Sequence, residues 1–567
     1  LAGTGAALNL DQAGAFMRQT HDVVNQGTVL QDLNLFETDH ALVEHCRAHG
    51  AHPFVESLRA LGDDLGRADT LELGRLANEY PPRLHTHDRF GRRTDRIEFH
   101  PAWHALMTRL IEAGTHSQPW ADPGPGAQVA RAARYLMFAQ VENGTQCPVT
   151  MTYAAVPVIA RHAALARDWL PVLLSRHYDP SAGPVHTKRG ALVGMGMTEK
   201  QGGSDVRANS TRAEPAGEGQ WGARFMLTGH KWFFSAPMCD AFLVLAQEGN
   251  GDGRSPSCFF MPRWLDDGRP NAITIQRLKD KLGNRSNASS EVELDRAMAY
   301  RIGEPGRGIA TILEMGNLTR LDCALGTAGM MRWALANALH HARLRHAFGR
   351  ALVEQPLMRN VLADLAIESE AATALSLRLA RALDQRDDPS CAALLRLGTP
   401  LAKYWICKRG PGFAAEAMEV LGGNGYTEEA PMARLYREMP VNSIWEGSGN
   451  VICLDVLRVL GRHADSVDAL RTELAAARGA DRRFDRAFAQ LDAMLTQSGE
   501  DPAQARRLSE RLACAWQAAL LLQHAPAAVA DAWCASRLGE SAHTGFSFGT
   551  LPASVDTRAI IARAMPG

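Results

Sequence analysis

Three absences set the first limits on this sequence. None of its ten cysteines (Cys46, Cys147, Cys239, Cys258, Cys323, Cys391, Cys407, Cys453, Cys514 and Cys534) forms a C-x-x-C pair. Their spacing is too loose for a small disulfide scaffold and reads as buried free thiols in a reducing compartment. No uninterrupted apolar run reaches the roughly 18 residues a membrane span requires, so no membrane association is expected. Charge of one sign is missing as well: 61 Lys+Arg stand against 62 Asp+Glu, a net charge of −1. No global field therefore draws nucleic acid, which excludes a histone-like or polybasic binder, and any DNA-binding surface must be a local patch. Leu1–Leu10 carries no basic segment followed by an apolar run, so no secretory signal is expected and the expected location is cytoplasmic.

What is present points to a multidomain α+β protein. The 567 residues are several times a usual domain length, and 46% hydrophobic with 22% charged residues is ordinary for a globular chain. Helical spacing, as in Leu71, Leu73, Leu76 and Ala77 and again in Ala102, Leu106, Leu110 and Ile111, predicts an N-terminal helical domain over 1–190. An Arg-rich, Pro-containing loop from Tyr80 to His100 is expected to interrupt it. From Gly194 the texture changes to β-rich runs at Phe225–Leu227, Trp232–Phe234, Ala241–Leu245, Ala272–Ile275 and Val292–Leu294. Gly, Asn, Asp and Pro separate them, which predicts a small antiparallel sheet or barrel over 191–303. Stretches at Ile309–Leu344, Leu357–Gln385 and Cys391–Lys408 predict a helical bundle over 304–460. A last helical domain is expected over 461–567, broken at Ser498–Pro502 and ending in an irregular tail from Gly539 to Ser554.

Three segments carry chemistry. In Gly194–Val206, glycines let backbone amides and small hydroxyls approach a flavin or a phosphate; the alternative is a plain turn, and the segment is no Rossmann fingerprint. In Gly229–Ser235, alternating aromatics on a strand suit core packing or a flat aromatic ligand. In Asn442–Asn450, Glu446 lies between Ile444-Trp445 and a Gly-Ser-Gly turn. Facing an apolar pocket it becomes a usable general base; at a helix start it is simply favoured by the macrodipole. His85, His87, His100 and His104 share one stretch, but no Cys or carboxylate recurs at ligand spacing, so no metal is expected.

Together these segments resemble the acyl-CoA dehydrogenase flavoproteins. The family's T-E-x-x-x-G-S-D resembles Thr198 to Asp205, and its L-G-x-R-x-S resembles Leu282 to Asn287, with Asn287 replacing the final Ser. Its R-x-x-F-G resembles Arg345 to Gly349, its G-G-x-G-[YF] resembles Gly422 to Tyr426, and its I-[YW]-E-G-[ST] resembles Ile444 to Ser448. Within the family the chain is most similar to the AidB branch, linked to the adaptive response to DNA alkylation. Leu71–Asn78, Phe99–His104, Gly194–Val206, Gly229–Ser235 and Tyr436–Asn450 carry that likeness.

The resemblance implies FAD between the β domain and the bundle, approached by Met197, Thr198, Gly203 and Ser204. Phe233, Phe234 and Ser235 would flank the flavin ring, and Trp445, Gly447, Ser448 and Asn450 would close over it. Arg345 and Phe348 match positions that reach the FAD of a neighbouring subunit, which implies a homotetramer. Glu446 matches the general base acting on an acyl-CoA thioester; the alternative position, near Thr319-Arg320, has no carboxylate. Glu419 stands where many relatives carry Gln.

The AidB-like resemblance further implies sequence-independent binding of double-stranded DNA through the last domain. From Val456 on there are 13 Arg, no Lys and 12 acids, and the candidates are Arg458, Arg462, Arg482, Arg483, Arg506 and Arg507. Asp481, Asp485 and Glu510 leave solvated helix faces as the alternative. The expected function is protection against or response to alkylation damage, with weak acyl-CoA (isovaleryl-CoA-like) dehydrogenase activity. The alternatives are a metabolic acyl-CoA dehydrogenase with no DNA role, and a flavin oxidase or monooxygenase acting on a small alkylating compound.

Overall fold

The computed structural model describes residues 20–248, 256–497, 501–538 and 547–567. Leu1–Leu10, Ser498 to Glu500 of the expected break and the first half of the expected irregular tail lie outside them; Ser547 to Ser554 is irregular, as expected. No helix of the described residues is long and apolar enough to cross a membrane.

The N-terminal region contains helices α1 (His40–Ala48), α2 (Val55–Gly66), α3 (Ala68–Glu79), α4 (Pro101–Glu112), α5 (Gln118–Ala121), α6 (Ala127–Val141), α7 (Gln146–Ala160) and α8 (Ala163–Leu173). Local chemistry starts two of them: Asp39 accepts from the Leu42 amide at 3.1 Å, and Pro101 opens α4 behind a His100 cap. The expected loop from Tyr80 to His100 is instead a hairpin of β1 (Arg83–His87) and β2 (Arg93–Glu98). Its turn is built by Asp88, whose side chain accepts from the amides of Phe90 and Arg92 at 2.8 and 3.0 Å, and by Gly91 at φ +77°. Long polar side chains carry the strand pattern there, so no apolar alternation announces it.

The middle domain is a seven-stranded mixed sheet of β3 (Val193–Gly196), β4 (Arg212–Gly219), β5 (Gly222–Ser235), β6 (Ala241–Glu248), β7 (Ser257–Pro262), β8 (Ile273–Leu278) and β9 (Ser289–Ile302). The order is β3-β6-β4-β5-β9-β7, β8 pairs with β9, and a β6–β7 pairing closes the ring. Two pairings, β3 with β6 and β4 with β6, are parallel rather than antiparallel as expected. The segment opening at Gly194 is thus a strand before it is a turn. A Cβ on Gly194 would stand 2.7 Å from the Phe242 ring and one on Gly196 2.6 Å from the Phe234 ring. The glycines make room for two aromatics beneath the sheet.

The bundle consists of α9 (Gly308–Leu344), α10 (Pro356–Asp384), α11 (Pro389–Val420), α12 (Gly423–Tyr426), α13 (Pro431–Asn442) and α14 (Gly449–Arg462), with a small hairpin of β10 (His346–Ala347) and β11 (Arg350–Ala351) after α9. Helix α11 continues through Pro411, well past Lys408, where the expected helical stretch ends. At Gly410 a Cβ would lie 2.8 Å from Thr327 and 2.9 Å from the Met439 sulfur, so tight helix crossing explains the glycine. The last region holds α15 (Ala464–Ala475), α16 (Arg482–Gln497), α17 (Ala505–His524), α18 (Ala527–Trp533) and α19 (Thr557–Ala564).

Two apolar cores result. One runs from the N-terminal helices through the bundle into the last region, through residues such as Leu58, Leu335, Leu377 and Trp516. The other joins α7 and α8 to the sheet through Trp169, Phe234, Phe242 and Phe260. A fully buried ion pair between Arg131 on α6 and Asp322 on α9 locks the first core, with the guanidinium 3.8 Å over the Tyr153 ring. Helix α19 closes the chain: Arg563 pairs with Glu44 of α1 at 2.6 Å and with Glu370 of α10 at 3.0 Å.

Candidate active site and cofactor cleft

Glu446 sits in the turn between α13 and α14, in the left-handed region at φ +57°, and is followed by Gly447 at φ +111°. Its carboxylate is not held by the start of α14. Thr319 on α9 donates its hydroxyl to Oε2 at 2.7 Å, and Arg320 donates Nε to the Glu446 carbonyl at 3.0 Å. Arg320 is held in turn by Asp455 at 2.9 Å, and Lys403 of α11 donates to the Gly447 carbonyl. Opposite the carboxylate is Gly316, where even a Cβ would remain 3.9 Å from Oε2. Burial pushes the Glu446 carboxyl above the ordinary range; the Thr319 hydrogen bond and the charges of Arg320 and Lys403 pull it part of the way back. A carboxylate with a raised pKa, fixed through one oxygen and facing space left by a glycine, can take a proton at neutral pH. Thr319 and Gly316 lie three apart on one face of α9, a spacing visible in the sequence, but only the fold shows that this face meets Glu446.

The wall beside this corner comes from the loop after β3 and the end of β5. Met197 and Thr198 are half-buried, whereas Gly203 and Ser204 are exposed. Glu199 of the same motif faces inward: burial would raise its pKa, but Lys231 at 2.7 Å and the donors Thr211 and Ser210 hold it at about 2. It staples the loop to β5, and the Trp232 amide donates to the Thr198 carbonyl at 2.8 Å. A register shift between Lys231 and Phe234 turns both Trp232 and Phe233 outward, leaving Phe233 53% exposed. The Phe234 ring is completely buried, 4.4 Å from the Phe242 ring, so it belongs to the core; of the three residues expected to flank a flavin ring, Phe233 and Ser235 offer their side chains.

A third wall was not anticipated. Lys281 donates to the Asn287 carbonyl at 2.7 Å and to Ser289 at 2.9 Å, and burial lowers its pKa to about 8. Cys147, from α7, sits against Asn287 and Ser235 and senses the Glu446 charge, its thiol pushed up to about 12 chiefly by burial. The side-chain amide of Asn287 and the indole N–H of Trp445 are buried without a hydrogen-bond partner. Those orphaned polar atoms, together with the open Gly203 backbone and the exposed Phe233 ring, fit a polar cofactor with a flat ring such as FAD. Gly447 and Ser448 follow Glu446 on the same turn, and Asn450, exposed, lies in the first turn of α14.

Arg345 and Phe348 lie elsewhere in the chain. Arg345 lines a cavity of about 260 Å³ with Glu419, Gly422, Gly423 and Asn424, and no Cβ-distance neighbour fills the space over either glycine. Phe348, at the tip of the β10–β11 hairpin, is 97% exposed. The cofactor candidates therefore form two groups within one chain, and Glu419 faces the second.

The arginine candidates divide as well. Arg458 pairs with Asp455, Arg483 pairs with Asp531 at 2.6 Å and with Asp481, and Arg506 donates to Asn450 at 2.8 Å. Arg462, Arg482 and Arg507 are exposed and have no ion-pair partner among the described residues. Of the four histidines, His85 contacts Glu98 at 2.9 Å, His100 caps α4, and His104 hydrogen-bonds Tyr178 at 2.8 Å. Among the described residues, no group of three or more His, Cys, Asp or Glu is arranged to hold a metal ion.

Comparison with known proteins adds an independent line. Residues 25–180 match the adaptive response protein AidB N-terminal domain, 194–297 the acyl-CoA dehydrogenase middle domain, and 306–461 the acyl-CoA dehydrogenase C-terminal domain. The chain is 52% identical over 518 residues to AidB of Escherichia coli (strain K12), covering 91% of this chain and 94% of that one. It is 30% identical over 506 residues to acyl-CoA dehydrogenase family member 11 of Caenorhabditis elegans, covering 82% and 80%. The crystal structure of Caenorhabditis elegans ACDH-11 in complex with C11-CoA matches with a TM-score of 0.84 at 27% identity, over 96% of this chain and 97% of that one.

Proposed function

The chain belongs to the AidB branch of the acyl-CoA dehydrogenase family, FAD-dependent oxidoreductases, and on that premise we propose that it joins two activities. One is weak oxidation of an acyl-CoA thioester of isovaleryl-CoA type. The other is sequence-independent binding of double-stranded DNA through the last helical domain, by which it protects against or responds to alkylation damage. The observation that carries the reading is the coexistence of a fixed, half-buried carboxylate at Glu446 with exposed arginines, Arg462 at the end of α14 and Arg482 and Arg507 on the helices after it, that have no ion-pair partner among the described residues.

In this reading Met197, Thr198, Gly203, Ser204, Phe233, Ser235, Trp445, Gly447, Ser448 and Asn450 hold FAD, while Arg345 and Phe348 serve the FAD of a second subunit in a homotetramer. FAD, when bound, supplies the acceptor for the substrate β-hydride. Glu446 takes the α-proton onto the oxygen not engaged by Thr319, and Arg320 and Lys403 keep the turn in place through its backbone carbonyls. That a relative was crystallised with C11-CoA supports a thioester substrate. Arg462, Arg482 and Arg507 supply phosphate contacts, joined by Arg458, Arg483 and Arg506 where DNA displaces their present partners.

Duplex binding by the FAD-loaded protein, measured across a salt series, tests the DNA half. Affinity that falls steeply with salt, and weakens when Arg462, Arg482 and Arg507 are replaced together by Ala, is the expected result. No binding at low salt overturns it. Anaerobic bleaching by an acyl-CoA panel, lost in Glu446→Gln, tests the other half.

A further inference from the structure

A cavity of about 630 Å³ opens on the face formed by the end of the β10–β11 hairpin, the start of α10 and the C-terminal helix α19. Arg350, Arg359 and Arg558 converge on it, Glu354 stands at its edge, and Val353, Ile561, Ala562 and Met565 give it an apolar floor. It shares no residue with the Glu446 corner or with the cavity lined by Arg345.

These arginines are unlike their neighbours. Arg563, on the same helix, is divided between Glu44 and Glu370; Arg332 donates to the Thr38 carbonyl and Arg343 to the Gly567 carbonyl. Arg350, Arg359 and Arg558 have no ion-pair partner among the described residues, not even Glu354. The Nε of Arg359 is buried with no hydrogen-bond partner at all. A buried N–H without an acceptor is costly unless something else completes it, and the rest of the half-buried Arg359 guanidinium is open to the cavity. The first turn of α10 lies on the same wall, and its N-cap residue Gln355 makes no side-chain capping bond, so the helix adds positive potential.

The walls are fixed independently of these residues. Asn360 and Leu551 exchange two hydrogen bonds at 2.9 Å, and Arg332 holds the Ala564 carbonyl at 2.8 Å. The space falls within the range of small-molecule sites, and the arginine fork matches a phosphate. Three cations against one carboxylate call for a dianion, and the floor calls for an apolar body attached to it. We propose that this cavity binds a small phosphomonoester, its phosphate held by Arg350, Arg359 and Arg558 and its apolar body lying on Ile561 and Met565.

Calorimetric titration of the FAD-loaded protein with phenyl phosphate, and separately with inorganic phosphate, tests this. Saturable binding of both is expected, tighter for phenyl phosphate. Arg558→Glu, on an exposed position, and Arg359→Gln should each weaken it about tenfold or more, whereas Glu354→Gln should tighten it. The flavin spectrum and acyl-CoA bleaching should not change. Absence of saturable binding in the millimolar range, or binding indifferent to all three substitutions, overturns the proposal. Competition by a short DNA duplex would make the face a nucleic-acid contact instead. A changed sedimentation coefficient of Arg558→Glu without ligand would mean that a second copy covers it. Either outcome would overturn the small-ligand reading.

Discussion

The Glu446 corner and the chain from the end of α14 onward use arginine in opposite ways. Arg320 is almost wholly buried, and its nitrogens are shared between the Glu446 carbonyl and Asp455. Arg462, Arg482 and Arg507 stand in solvent with their forks open. A buried, doubly committed guanidinium fixes geometry, and its loss leaves other groups unpaired. An exposed one contributes a screened, nearly additive increment. Asp455 of α14 binds the buried Arg320 on one side and the exposed Arg458 on the other.

That contrast is open to test, beginning where the effect is greatest. Glu446→Gln should slow anaerobic bleaching by an acyl-CoA about 10²–10⁴-fold in stopped-flow measurements, with FAD content and duplex affinity unaltered. A parallel loss of duplex binding would break the separation of the two regions. Thr319→Val should act less, by about tenfold near neutrality. Because the Thr319 hydrogen bond lowers the base's pKa, its removal raises that pKa further, so less carboxylate is ionised at a given pH. The acid limb of the kcat/KM profile should therefore move to higher pH, a shift that mere loosening of the turn would not produce.

On the other side, single replacement of Arg462, Arg482 or Arg507 by Ala should lower the salt slope of duplex binding by about 0.9 each. Arg483→Ala should have the smallest effect: a cost of about 0.2–1 kcal/mol in thermal stability, from its pairs with Asp481 and Asp531, and little change in salt slope. A full unit of slope lost at Arg483 would show that DNA outcompetes its carboxylates.

What the sequence disclosed depended on how local the cause was. The long helices and the five β-rich runs were legible because apolar periodicity is written along the chain. The β1–β2 hairpin was not, since Arg, His and Thr carry its alternation. Strand β3 looked like a turn because its glycines answer to Phe234 and Phe242, aromatics that lie on later strands of the sheet. Glu446 stood out through its apolar and glycine neighbours. Thr319, Lys403 and Cys147 reach the corner only through tertiary packing. Among the arginines, the Asp455–Arg458 pair is an i,i+3 spacing readable in advance, whereas Asp531 meets Arg483 from 48 residues away.

The backbone of Glu446 has one more consequence. A side chain held in the left-handed region costs about 1–2 kcal/mol relative to a residue indifferent to that conformation. At this position glycine would suit the fold better than glutamate does, so Glu446→Gly should melt at a higher temperature than the native chain while losing the proposed base. If Glu446 is the base proposed above, selection for thermal robustness alone would erode catalysis at this turn first, setting folding and reactivity in competition at one residue.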